Sequence, residues 1–287
     1  MPTITTRHFL QTAGFVLAGL VLAACGKQEP AAPAASAPAA APAAPAAAAR
    51  VYVVGTDAAY APFESQNKKG EIVGFDIEVV KAAAQKAGIE VKFLNTPWEG
   101  IFNSVAQGDR DLLISAITIT PERRQTLDFS DPYFDAKQLI AVKNDSKIAK
   151  FSDLAKLKVG VQNGTTGDEV ITKLQGKDSP NIKRFESTPL ALKEMQSGGV
   201  DAVVADNGVV VHYVANNPDS KFKIINDSSF SSEQYGIAVK KGNTELLEKI
   251  NKGLAGIKAD GSYNQIYTQY FGAPPAAAPA PAAAASK

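Results

Sequence analysis

Apolar positions across residues 50–272 recur with two alternating periods. "VYVVGT" (51–56) and "VKFL" (91–94) predict strands, whereas Ile77, Val80, Ala84 and Ala87 recur at helical spacing. Ile101 and Val105 predict a second helix that ends near "AQGD", and "DLLISA" (111–116) predicts the next strand. The same order then returns, as "KVGV" (158–161), a helix from about Thr166, "IKRF", a helix from about Pro189 to "QSGG", and "DAVVAD" (201–206). The closing units, "AQGDRDLLISA" and "QSGGVDAVVAD", share a glycine turn, an aspartate and an apolar strand that ends on a polar residue. After a further strand near "FKII", "YGIAVKK" (235–241) reads as a strand that returns the chain to the first half. Leu246, Leu247, Ile250, Leu254 and Ile257 then mark an amphipathic helix, and a last short helix runs to about Phe271.

This alternation predicts two similar α/β lobes with helices on both faces of largely parallel sheets. One lobe comprises residues 50–133 and 234–272, the other 138–230, and the two crossings between them form a hinge. Ligands of open parallel sheets sit beyond the carboxyl ends of the strands. Those ends are residues 56–60 and 115–118 in one lobe, and residues 162–166 with Asp206 in the other. Facing lobes would bring all four clusters to one cleft.

The side chains at these ends carry candidate chemistry. Thr120 and Pro121 read as an N-cap and first helical position, which places Arg123 in a first turn near Ser115 and Thr118. A guanidinium beside hydroxyls and free amides suits a carboxylate; the alternative is a solvated arginine pair with Arg124. "QNGTTGDE" (162–169) is a glycine-containing turn into a helix start, where Thr165 and Thr166 either cradle an anion or cap the helix. The lysine pattern of a nucleotide P-loop is missing. Asp206 ends an apolar strand, so it either meets a cation or caps the helix that starts at Asn207. Tyr60 and Trp98, the single tryptophan, either clamp the apolar part of a ligand or are ordinary core and rim.

Composition narrows the classes. With 287 residues, 30 basic against 29 acidic, the chain has no basic field for nucleic acid and can build one large domain or two small ones. Arg7 and His8 precede a short apolar run to Ala24, a processing leader (1–24) too brief to span a bilayer. The leader ends in "LAAC", similar to the lipobox of bacterial lipoproteins, so Cys25 is expected to be acylated. As the only cysteine it excludes an intramolecular disulfide. Residues 25–49 read as a lipidated cysteine followed by an Ala/Pro tether, and residues 273–287 as a tail of like composition. Only His8 and His212 are histidines, which excludes a His-based acid/base pair or a His-rich metal site. No cofactor, metal or catalytic residue is expected.

The segments "GTDAAYAPFES" (55–65), "GFDIEVVKAAAQKA" (74–87), "ITITPERR" (117–124), "DFSDPYF" (128–134), "GVQNGTTGDE" (160–169), "VDAVVADN" (200–207), "YGIAVKKG" (235–242) and "IKADGSYNQIY" (257–267) occur in an order and spacing that resembles the bacterial extracellular solute-binding proteins of polar amino-acid ABC importers. The resemblance implies a two-lobed, type 2 periplasmic-binding fold: α/β, with two mixed, mainly parallel sheets joined by a two-segment hinge. It implies that Arg123 pairs with a ligand α-carboxylate, helped by Thr118 and Thr166, and that Asp206 takes the α-ammonium with a carbonyl near Ala116. Tyr60 and Trp98 match pocket walls, Ser115 and Thr165 match contact positions, and Gln162 sits where relatives vary with their ligand. Ala116 departs from a serine found in some relatives. Asp57 is placed to meet a cationic side chain, with Glu64 and Glu99 as further carboxylates nearby in sequence, which favours a basic L-amino acid. "TDAAYAPFE" is also similar to segments of relatives with uncharged ligands, so that class stays open. Within "GFDIE", Gly74 turns the chain, and Asp76 and Glu78 favour a helix start, so the segment is expected to be scaffold. The implied setting is a monomer in the periplasm, anchored to the membrane through Cys25, with a permease as partner. An enzyme resembling cyclohexadienyl dehydratase, or a ligand sensor, would be the alternative on the same fold.

Overall fold

The repeat builds two sheets, one from each half, in a computed structural model that describes residues 50–273. The predicted leader, Cys25, the Ala/Pro tether and the tail from residue 274 lie outside the described residues. The first sheet runs, in spatial order, Glu90–Asn95, Val51–Thr56, Leu112–Leu113, Ala238–Lys240 and Leu127–Phe129. The second runs Ile182–Phe185, Val159–Gln162, Ala202–Asp206, Phe134–Lys143 and Phe222–Ile225.

Strands linked through a helix pair in parallel, as the crossover connection requires, with Val51 opposite Glu90 and Val159 opposite Ile182. Strands next to the crossings pair antiparallel instead: Ala238–Lys240 with both of its neighbours, and Phe134–Lys143 with both of its own. Each sheet is therefore a parallel half joined to an antiparallel half. The chain passes from the first sheet to the second through Phe134–Lys143 and returns through Ser232–Tyr235, and these two segments pair with each other, Phe134 opposite Tyr235 and Lys137 opposite Ser232.

Aromatic rings fill the space beneath this double crossing. The Phe63 ring lies 5.0 Å from Phe134, 5.4 Å from Tyr235 and 5.3 Å from Phe271, so the last helix, Ser262–Phe271, packs its end against both crossings. Gly74 permits this packing: its φ is 139°, and a Cβ there would sit 2.1 Å from the Phe63 carbonyl oxygen.

One element is shorter than its pattern predicts. The run at 111–116 ladders only at Leu112–Leu113; Ile114 is buried, and Ala116 adopts a left-handed φ of 46°. The Ala116 amide donates to an Asp76 carboxylate oxygen at 2.8 Å, so it is withdrawn from any strand pairing. Among the described residues no helix is long and apolar enough to cross a membrane.

Candidate functional site

The carboxyl ends of both sheets open onto one cavity with about 320 Å³ of atom-free space, part of it open to solvent. Its lining is Asp57, Tyr60, Trp98, Ser115, Ala116, Thr118, Arg123, Gln162, Thr165, Thr166 and Asp206. All eleven residues singled out from the sequence are thus brought together. The lining holds two carboxylates against one guanidinium.

Arg123 opens a single-turn helix, Arg123–Thr126, and its amide donates to Thr120 Oγ1 at 3.1 Å, the capping contact expected of Thr120. Its guanidinium stands 5.4 Å from the Trp98 ring and 5.0 Å from Phe102, and donates to the carbonyls of Thr118 at 2.9 Å and Gly164 at 3.3 Å. It therefore lies against the Trp98 and Phe102 rings rather than solvated beside Arg124. Burial lowers its pKa, opposed by the charges of Glu169, Asp206 and Glu233.

Asp206 stands at the N-cap of the helix Asn207–Asn216 but makes no side-chain capping bond. Its carboxylate instead accepts from the Tyr60 hydroxyl at 2.7 Å and from Gln138 Nε2. Burial first, and the negative charge of Glu233 second, push its pKa up to about 6. Asp57 shows the same sign: burial raises its pKa against a 3.4 Å hydrogen bond from Gln162 Nε2. Neither Asp57 nor Asp206 has an ion-pair partner among the described residues. A buried carboxylate in that condition is stabilised by any cation that enters.

The threonine hydroxyls are engaged within the protein, and Thr165 takes the capping alternative. Thr165 caps the helix Thr166–Gln175: its hydroxyl accepts from the Asp168 amide and donates to the Gln162 carbonyl at 2.8 Å. Thr118 and Thr166 both donate to Glu233 Oε2, at 2.7 and 2.8 Å. A hydroxyl has one proton, so in this geometry neither can also donate to a ligand carboxylate. The first amides of that helix, at Thr166 and Gly167, make no hydrogen bond among the described residues and remain as donors beside Arg123.

Two further expectations are corrected. Glu64 is 0% exposed and accepts from Ser115 Oγ at 2.8 Å, underneath the cavity rather than in it. Glu99 is exposed and outside the lining, because it follows Trp98 into the turn before the helix Ile101–Gln107. Asp76 does lie in the first turn of its helix, Phe75–Ala87, as its sequence position predicts, and is in addition fully buried and bonded to Ala116. Sequence reasoning also missed Gln138 and Glu233, which sit on the two crossings; Gln138 Nε2 has two protons for three acceptors within hydrogen-bonding distance, Asp206 Oδ1, Thr166 Oγ1 at 3.1 Å and Glu233 Oε1 at 3.0 Å. Their only signal is two polar side chains in segments that read as apolar connections.

Two sheets with facing strand ends, a shared cavity and a paired double crossing define the type 2 periplasmic-binding fold. Residues 52–273 match the family of bacterial extracellular solute-binding proteins, family 3, and the chain belongs to that family. It is 40% identical over 262 residues to the "Probable histidine-binding protein" of Neisseria gonorrhoeae, covering 90% of this chain and 94% of that one. Among solved structures it is similar to the arginine-, lysine-, histidine-binding protein ArtJ of Geobacillus stearothermophilus, with 46% identity, a TM-score of 0.76, and 79% and 97% of the two chains covered. It is also similar to the ancestral amino acid-binding protein AncCDT-1, a precursor of cyclohexadienyl dehydratase, at 40% identity and a TM-score of 0.71, over 77% and 95% of the chains.

Proposed function

We propose that this chain captures a basic L-amino acid between its two lobes and delivers it to the permease of an ABC importer. The observation that carries the reading is the charge of the lining: Asp57 and Asp206 without ion-pair partners, and Arg123 as the only cation. A basic amino acid carries one carboxylate and two cations, the complement of that set. Arg123 and the free amides at the start of Thr166–Gln175 take the carboxylate. Asp206 takes the α-ammonium, assisted by the lone pairs of Thr118 and Thr166, and Asp57 meets the side-chain cation. Tyr60 and Trp98 wall the aliphatic stem. The relatives named for histidine, and for arginine, lysine and histidine, support the same ligand class.

Closure follows from bonds between the lobes, residues 50–133 with 234–272 and residues 138–230. Tyr60 bonds Asp206, Gln162 bonds Asp57 and Arg123 bonds the Gly164 carbonyl, so a ligand touching both sides favours the closed arrangement. The paired crossings are the hinge. Binding without turnover is the proposed activity, and a monomer held at the membrane by an acylated Cys25 is the proposed setting. A thermal-shift screen of residues 50–273 against the amino acids, ornithine and citrulline tests the reading. Arginine, lysine, histidine or ornithine is expected to raise the midpoint most; a response confined to neutral or acidic amino acids would overturn the basic preference.

Binding should also depend on pH. Asp206 must be ionised to hold an ammonium, and its pKa stands at about 6. Arginine affinity is therefore expected to weaken about tenfold between pH 7 and pH 5. The stability of the protein without ligand moves the other way. The folded pKa is raised above the unfolded value of 3.8, so this group's contribution is complete below that value and lost as pH rises through about 6. Calorimetric titration across this window checks the first trend, and an affinity that stays level would take Asp206 out of the ammonium contact.

A further inference from the structure

We infer that Glu64 and Asp76 form an acid pair that shares one proton beneath the cavity and sets the position of the Ser115–Ala116 strand tip. Both side chains are 0% exposed. Glu64 Oε1 accepts from Ser115 Oγ at 2.8 Å, and Ser115 Oγ in turn accepts from the Asp57 amide at 3.0 Å. Asp76 Oδ2 accepts from the Ala116 amide and from the Tyr133 hydroxyl, each at 2.8 Å. One pair of side chains thus holds three residues of the cavity lining.

The two carboxyl groups branch from adjoining backbone, since the Asp76 amide donates to the Phe63 carbonyl at 3.0 Å, and one oxygen of each, Glu64 Oε2 and Asp76 Oδ1, is buried with no hydrogen-bond partner among the described residues. Two neighbouring carboxylates, each with an unpartnered oxygen in a fully buried site, cannot both stay ionised, so we place one proton between those two oxygens. Asp76 receives an N–H and an O–H donor and is the anion; Glu64 receives one hydroxyl and carries the proton. The groups that face the pair are Asp57 from the end of the first strand, Tyr60 from the adjoining hairpin, Tyr133 at the head of the crossing and Tyr263 from the last helix. All are acids or phenols, and neither carboxyl has an ion-pair partner among the described residues. Burial accordingly raises both pKa values.

The bond to Asp76 holds Ala116 at a φ of 46°, a conformation alanine does not favour by itself. Glu64 and Asp76 are positioning residues: they act on a ligand through Ser115, Ala116 and Asp57. The pair's effect on ligand binding rests on the function proposed above, whereas its shared proton does not.

The test follows from donor counting. Glu64→Gln places an amide N–H where the shared proton lies and keeps the acceptor for Ser115. It is expected to bind arginine within about threefold of wild type, whereas Glu64→Ala weakens binding at least tenfold. The double variant Glu64→Gln/Asp76→Asn sets two amide donors against each other and is expected to fold less stably than either single change. A second readout needs no ligand. A carboxyl with a raised folded pKa contributes stability at low pH and loses it as pH rises, so the unfolding midpoint of wild type should fall with rising pH relative to Glu64→Gln. Midpoints of wild type and Glu64→Gln that run parallel from pH 5 to pH 9 would overturn the shared proton. Glu64→Gln as weak toward arginine as Glu64→Ala would overturn the positioning role. If wild type binds no amino acid, the function proposed above fails, while the midpoint comparison still decides the acid pair.

Discussion

Replacing Arg123 with alanine is expected to weaken amino-acid binding by roughly two to three decades while leaving the fold intact. The guanidinium contributes two parallel donors to the carboxylate, and a carboxylate left in the cavity without them costs about 3–5 kcal/mol. Stability should change little, because Arg123 is only half-buried on a single-turn helix and belongs to no hydrophobic cluster. Its own bonds go to the carbonyls of Thr118 and Gly164, so the variant also loses one bond between the lobes. Arg123→Lys should fall between the two: the charge stays, but the planar fork over Trp98 and Phe102 is lost. Isothermal titration with arginine is the measurement. An affinity within threefold of wild type for Arg123→Ala would remove the residue from the site.

Asp206→Asn should separate function from stability. With its charge gone the α-ammonium loses its counter-ion, and binding is expected to fall by about two decades or more. The protein without ligand should nonetheless become more stable at pH 7. A carboxylate whose pKa is held at about 6 by burial and by Glu233 is ionised there against its environment. Neutralising it recovers on the order of 1–3 kcal/mol, a rise of several degrees in the unfolding midpoint. Asparagine can still accept from Gln138, and the Tyr60 hydroxyl can rotate to accept from the new amide. Differential scanning calorimetry at pH 7 and pH 4 checks the sign, since the gain should vanish at pH 4, where the native aspartic acid is already protonated. A lower midpoint at pH 7 would mean that Asp206 holds the fold rather than a ligand.

How much of the site was legible follows from where each polar side chain lies in the chain. Arg123, Asp206, Thr166 and Gln162 stand at the ends of strands or the starts of helices, where apolar periodicity stops, so a sequence pattern alone marks them. Glu233 and Gln138 lie within crossing strands and carry no such mark. The burial of Glu64 and Asp76 escapes the sequence for the opposite reason. Each sits in a segment whose local reading was sufficient, a carboxylate near Asp57 and a helix start after Gly74, and nothing local announced full burial.

The order of periods along the chain was enough by itself to determine two strand–helix repeats, the strand ends that bear polar groups, and the chemical kinds that meet there, because backbone period and residue type are local properties. Only the tertiary structure decided which of those groups are already engaged. Thr118 and Thr166 bind Glu233 from 115 and 67 residues away, and Glu64 meets Ser115 from 51. A hydroxyl has one proton and a buried carboxyl needs a partner, so what each offers a ligand depends on neighbours that chain order does not reveal.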